Sequence, residues 1–169
     1  MQKYVRTKII DQAGLKNHAE PLKAKTMLKL IAKSFLTFVG ALLLLAAAQA
    51  QDRVVYHIDN AEQQATKGLR NIRNHLDVAP DTKIVVVTHA DGVDMMMEGA
   101  KDKKNANIDY GPLVSALKAR GVRFEVCEIT LVNRKLGKEL FSMDAEFTPS
   151  GVVRIGQLQS REKFAYIKP

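Results

Sequence analysis

Between residues 53 and 169 the apolar positions switch repeatedly between a strand-like and a helix-like period. Residues 53–58 (RVVYHI) form a β-branched and aromatic run that predicts a strand. Asp59 or Asn60 can cap a helix after it, in which Ala61, Ala65, Leu69, Ile72 and Leu76 recur at spacings of three and four as one apolar stripe. Pro80-Asp81 predicts a turn. Residues 83–88 (KIVVVT) form the continuous apolar run of a strand buried on both faces of a parallel sheet. Residues 89–92 are expected to be loop, 93–98 a short helix and 99–108 loop again. Asp109 caps the next expected helix, with Pro112 in its first turn, Leu113, Val114 and Leu117 on its apolar side, and Gly121 at its end. A third strand is expected over 122–126, a helix over 131–141 through Leu136 and Leu140, and a short strand over 145–148. A last helix capped by Ser150, with Val152, Ile155 and Leu158 inward, leads to a closing strand over 164–167. Strands alternating with helices predict an α/β fold: three layers, a mostly parallel sheet with helices on both faces.

The pattern before residue 51 is of another kind. Lys29 and Lys33 precede an apolar run of residues 35–48, and Ala48-Gln49-Ala50 is an A-x-A cleavage sequence, so 27–50 reads as a secretory signal peptide. The alternative is a retained anchor, but the run is about 14 residues against the roughly 20 a spanning helix needs. Residues 1–26 are polar and basic without a clear period, and are read as an extended n-region or as lying ahead of a translation start at Met27. The expected organisation is therefore 1–26 outside the fold, 27–50 signal, and 51–169 a single domain that is periplasmic or secreted, with no stable membrane insertion after cleavage.

This division changes what the charge means. The chain carries 26 Lys+Arg against 18 Asp+Glu, net +8, yet residues 1–50 hold 8 basic and 2 acidic residues while 51–169 hold 18 and 16. The basicity belongs mostly to the leader, and a nucleic-acid partner is not expected. Lys101, Lys103 and Lys104 cluster around Asp102 and read as a solvated loop.

Candidate chemistry comes from topology. Ligands of open parallel sheets sit beyond the carboxyl ends of the strands, where His57, His89 and Cys127 fall, together with Asp59, Asn60, Asp91 and Thr130. Cys127 is the one cysteine. In an exported protein it is a buried inert thiol, an intermolecular partner or a reactive thiolate. Its place before an expected helix, with Thr130 as a possible cap and Arg134 and Lys135 close by, favours the thiolate, while Glu128 opposes it. His89 is a candidate base or hydrogen-bond partner to that thiol. A zinc set of His57, His89 and Cys127 has no short-range ligand spacing behind it, so no metal and no organic cofactor is expected. His75, late on its helix, reads as solvated. At least one of Met95, Met96 and Met97 is expected to be exposed or in a contact with another subunit. GxGxxG, Walker and GxSxG motifs are missing from the chain, so nucleotide use and serine hydrolysis are not supported.

Three segments, KIVVVTHADGVDMM (83–96), GVRFEVCEITL (121–131) and TPSGVVRIGQLQSREKFAYIKP (148–169), together resemble the DsrE/DsrF-like sulfur-relay superfamily. The resemblance implies a DsrE-like, flavodoxin-like parallel fold and a homo-oligomer such as a trimer or hexamer. It also implies a cysteine that carries sulfur as a persulfide, a role that falls on Cys127; His89 fits a recurring histidine after the second strand. The expected function is an exported sulfur-handling protein in which Cys127 passes sulfane sulfur between a donor and an acceptor protein. The alternative is a non-catalytic ligand-binding or assembly module with Cys127 packed. A hydrolase using His89 with Asp91 or Asp94 is a third reading.

Overall fold

The computed structural model describes residues 27–29 and 51–169. Residues 27–29 are helical; the remainder of the expected signal segment, and residues 1–26, lie outside the described residues. Among the described residues no helix is long and apolar enough to cross a membrane.

The unit that begins at Ala50 is built from β1 (Arg53–Asn60), α1 (Ala61–Val78), β2 (Lys83–Asp91), a 3-10 helix (Gly92–Met96), α2 (Tyr110–Ala119), β3 (Arg123–Cys127), α3 (Glu128–Arg134), a second 3-10 turn (Lys138–Leu140), β4 (Ala145–Thr148), α4 (Gly151–Ser160) and β5 (Ala165–Ile167). The five strands form one sheet in the order β4-β3-β2-β1-β5, and every neighbouring pair is parallel.

The order explains the layers. From β1 to β4 the chain steps in one direction, so right-handed connections set α1 and α2 on one face. The return from β4 to β5 runs the other way and sets α4 on the opposite face. On the first face Tyr56, Ile58, Ile84, Val86, Phe124 and Val126 from the strands pack on Ala65, Leu69, Ile72 and Leu76 of α1 and Val114 and Leu117 of α2. On the second face the apolar cluster is small: Val55, Val85, Val87, Ile155, Leu158 and Phe164. Both sides of β2 are thus covered, which is why its sequence is an unbroken apolar run rather than an alternation.

Caps hold the expected helix starts. The Asn60 side chain accepts the Gln63 N–H at 3.0 Å, Asp109 accepts that of Gly111 at 3.0 Å, and Ser150 accepts that of Val153 at 3.4 Å. Gly92 is required by a close approach: a Cβ there would lie 2.0 Å from the Ile58 carbonyl oxygen.

Several expectations are corrected. The helix expected over 131–141 is instead the seven-residue α3; it stops at Lys135, which takes a left-handed conformation with φ 54°, and Leu140 lies in a separate turn. Val152 faces solvent, and only Ile155 and Leu158 of its stripe are buried. Leu113 is likewise exposed. Met95 and Met96 are both buried, and Met97, where the backbone turns extended, is partly buried against the same core and is the one of the three left open to a contact. His75 is not merely solvated, since its Nδ1 lies 3.1 Å from the Tyr56 hydroxyl. Within the 101–104 segment Asp102 is buried: it accepts the N–H groups of Lys104 and Asn105 and the Thr66 hydroxyl, and so shapes the loop.

Candidate functional site

Successive strand residues point to opposite faces. Val55, Val85 and Val87 pack on the second face, so the same alternation carried to the strand ends sets His57, His89 and Cys127 there too. Because β1, β2 and β3 are neighbours, the three residues share one edge. β2 extends through Asp91, which places His89 in the strand rather than in the loop expected for it, and Ala90 then adopts a positive φ of 47°.

Cys127 is the last residue of β3 and the residue from which α3 starts. Burial pushes its thiol pKa up, but hydrogen bonds from the N–H groups of Gly151, Thr130 and Ile129 and from the Thr130 side chain outweigh that and hold it below the ordinary thiol range. Thr130 is not the cap of α3; it sits inside the helix, and its hydroxyl also accepts the Ala90 N–H at 3.0 Å, tying β2 to α3. Gly151 lets α4 begin against the sheet: a Cβ there would stand 3.2 Å from the His89 Cβ and 3.3 Å from the Cys127 Cβ. Cys127 is 5% exposed, at the floor of a pocket of about 280 Å³ lined by His89, Thr130, Asn133, Arg134, Ser150 and Val152 among others. Arg134 forms an ion pair with Asp94 at 2.7 Å, and Glu128 pairs with Lys138, so neither charge is free to act fully on the thiol.

His89 continues from this pocket into a second group. Its Nε2 lies 2.7 Å from the Nε2 of His57, whose Nδ1 lies 2.6 Å from the Tyr166 hydroxyl. Asp59 is beside them and receives a hydrogen bond from Lys168 at 2.6 Å. Burial is the main reason both histidines have lowered pKa values; at His57 the neighbouring His89 adds to it, Lys168 adds to it at both, and Asp59 opposes it at both. Both rings therefore favour the neutral form, in which each offers a nitrogen lone pair. Asp59 titrates lower than an ordinary aspartate, chiefly through the Lys168 hydrogen bond.

Asn60 and Asp91 do not join this group. They line a separate pocket of about 240 Å³ with Asp94, Lys101, Lys103 and Tyr110. Three residues of the site escaped sequence reading: Tyr166 and Lys168, which alternate on one side of β5 and its extension, and Gly151, which admits α4. The alternation of AYIK would have pointed to the first two, but only once β5 was known to lie beside β1.

A family model described as the DsrE/DsrF-like family matches residues 40–169. No curated protein matches the chain. Among solved structures it is similar to MTH1491 of Methanobacterium thermoautotrophicum, a protein of unknown function, at 30% identity and a TM-score of 0.62, over 70% of this chain and 100% of that one. It is also similar to the ychN protein of E. coli, with 13% identity and a TM-score of 0.58 over 71% of this chain and 100% of that one, a likeness of fold alone. With its all-parallel sheet and a family match over most of its length, the chain belongs to the DsrE/DsrF-like family.

Proposed function

We propose that this is an exported sulfur-handling protein in which Cys127 carries sulfane sulfur as a persulfide. The observation that carries the reading is the set of donors around Cys127: N–H groups from the starts of α3 and α4 and the Thr130 hydroxyl favour a thiolate at the floor of an open pocket. In loading, the thiolate attacks the terminal sulfur of a polysulfide or donor persulfide. One S–S bond forms as another breaks, and the donor leaves as a thiolate or shorter polysulfide. In unloading, an acceptor thiolate attacks the outer sulfur of the Cys127 persulfide and the Cys127 thiolate departs. No external oxidant is needed for either exchange. His89, on the same pocket wall, hydrogen-bonds the arriving or departing sulfur or takes up its proton.

Export is supported by the signal pattern of residues 27–50. Exposed Ile129 and Val152 at the pocket, with Val132 and Val153 near them in the chain, support a docked partner, either another copy in a homo-oligomer or a sulfur donor or acceptor protein.

A second reading, a ligand-binding or assembly module with Cys127 packed, is favoured by one observation, the 5% exposure of that residue. Alkylation of Cys127 in the native and the unfolded protein separates the two. The sulfur-carrying reading expects native labelling at neutral pH at least as fast as in the unfolded chain. Native labelling slower by about a hundredfold or more would leave the packed reading.

A further inference from the structure

We propose that His57, Asp59 and His89 form a binding site for a divalent transition-metal ion of the Zn²⁺ type. Each of these residues offers one ligand atom, and the three atoms lie within 4.8 Å of one another at the carboxyl ends of β1 and β2. The set is not the His57, His89 and Cys127 trio weighed from the sequence, because Asp59 and not Cys127 converges with the two imidazoles. The proposal does not rest on the sulfur chemistry assigned to Cys127, although His89 borders both sites.

Four features point to an ion rather than to packing alone. First, the two Nε2 atoms face each other at 2.7 Å, with ring centroids 4.7 Å apart. Two neutral imidazoles so placed share one proton, or both turn lone pairs to one cation. Zinc held at about 2.0–2.1 Å by each nitrogen in tetrahedral geometry sets them about 3.3 Å apart. The rings must therefore part by roughly 0.6 Å, which small side-chain rotations supply. Second, the His57 ring is held from behind: its Nδ1 meets the Tyr166 hydroxyl at 2.6 Å, which keeps Nε2 directed at His89. An outer hydrogen bond on the distal nitrogen is the usual support of a metal-binding histidine. Third, Asp59 supplies the anionic oxygen that two neutral imidazoles lack. Lys168 holds one of its two carboxylate oxygens at 2.6 Å and leaves the other, while its own charge competes with an ion for the site. Fourth, all three ligands are half-buried at the carboxyl end of the sheet, so an ion can enter and keeps at least one position for water or a ligand. Two nitrogens and one carboxylate suit Zn²⁺, Ni²⁺ or Cu²⁺ and not Ca²⁺ or Mg²⁺, which take oxygen.

The test is a titration of the purified full-length protein with Zn²⁺ in a chelator-competition assay, together with the absorption spectrum of the Co²⁺ form. The expected result is one Zn²⁺ per chain, with no comparable binding of Mg²⁺. His57→Ala and His89→Ala should each weaken it at least a hundredfold, Asp59→Asn about tenfold, and Tyr166→Phe about tenfold through the lost outer hydrogen bond. Lys168→Met, which frees Asp59 and removes a positive charge, should tighten it. His75→Ala, away from the cluster, should bind as the parent does. The Co²⁺ spectrum should show ligand-field bands without a thiolate charge-transfer band. Circular dichroism of each variant, with His57→Gln and His89→Gln as milder replacements, guards against loss of binding through misfolding. The proposal is overturned by the lack of stoichiometric Zn²⁺ binding, by binding that survives in folded variants of both histidines, or by a thiolate band that assigns the ion to Cys127. Loss of sulfur loading in Cys127→Ser with Zn²⁺ binding intact separates this site from the persulfide reading.

Discussion

The two faces of the sheet are built from the same five strands and differ in what covers them. The first face meets two helices of 18 and 10 residues, with the first 3-10 helix, and forms one continuous apolar core. Among the described residues the second meets only the ten-residue α4, and its apolar cluster is confined to six residues. Beyond that small cluster the second face carries Arg123, Glu125, Cys127, His57, His89 and Tyr166. The lesson is a division of labour along the pleat: even and odd positions of one strand serve stability and chemistry separately. A thinly covered face can keep polar groups at the strand ends because fewer apolar side chains compete for the space.

The contrast between the faces can be broken from either side. The largest expected effect is on the first face, where Leu76→Ala empties a fully buried position and should cost about 4 kcal/mol in denaturant unfolding. On the second face Leu158→Ala should cost about 2.5 kcal/mol, since the smaller cluster beside solvent relaxes more readily. Equal costs would remove the asymmetry. Next comes the buried carboxylate of the second face. Glu125 is held by a two-pronged contact from Arg154, with Nε at 2.8 Å and Nη2 at 3.2 Å, and Arg154 also reaches Glu162 at 2.7 Å. Arg154→Ala should cost about 2 kcal/mol, because Arg123, 3.1 Å from Glu125, compensates in part. Glu125→Gln in the same background should recover part of the loss, measured by the same unfolding curves.

The smallest effect in energy is the most informative about chemistry. Thr130→Val removes a hydroxyl that serves both the Ala90 N–H and Cys127, at about 1 kcal/mol of stability. Cys127 has a folded pKa below its unfolded value. Its thiolate therefore persists at pH below the roughly 8.5 of a free thiol. The stability tied to it is present above the unfolded value and is lost as pH falls through the folded one. A pH profile of Cys127 alkylation should have its midpoint below that of a free thiol. The midpoint should move up in Thr130→Val, and an unmoved midpoint would show that the hydroxyl does not stabilise the thiolate.

Much of the first face is legible in sequence because it obeys one period at a time. The stripe Ala61, Ala65, Leu69, Ile72 and Leu76 is buried as the spacing demands, and KIVVVT is a strand covered on both sides. The second face is harder to read. Helical spacing puts Val152 in the core because it cannot tell how wide a stripe is covered, and there the cover is narrow. Leu136 and Leu140 continue a helical pattern that Lys135 interrupts with a left-handed turn no propensity marks. At the site, the strand-end positions of His57, His89 and Cys127 can be read from the alternation of elements. The partnership of His57 with His89, and the arrival of Tyr166 from β5 and Lys168 from its extension, depend on strand order. For β5 that order lies in contacts between residues more than a hundred positions apart.

The central claim is that Cys127 accepts sulfane sulfur, and mass spectrometry of the polysulfide-treated protein tests it most directly. The persulfide reading predicts that the native protein gains one or more sulfur atoms at Cys127, that reductant removes them, and that Cys127→Ser gains none. A parent protein that gains no sulfur, or a Cys127→Ser protein that gains as much, would contradict it.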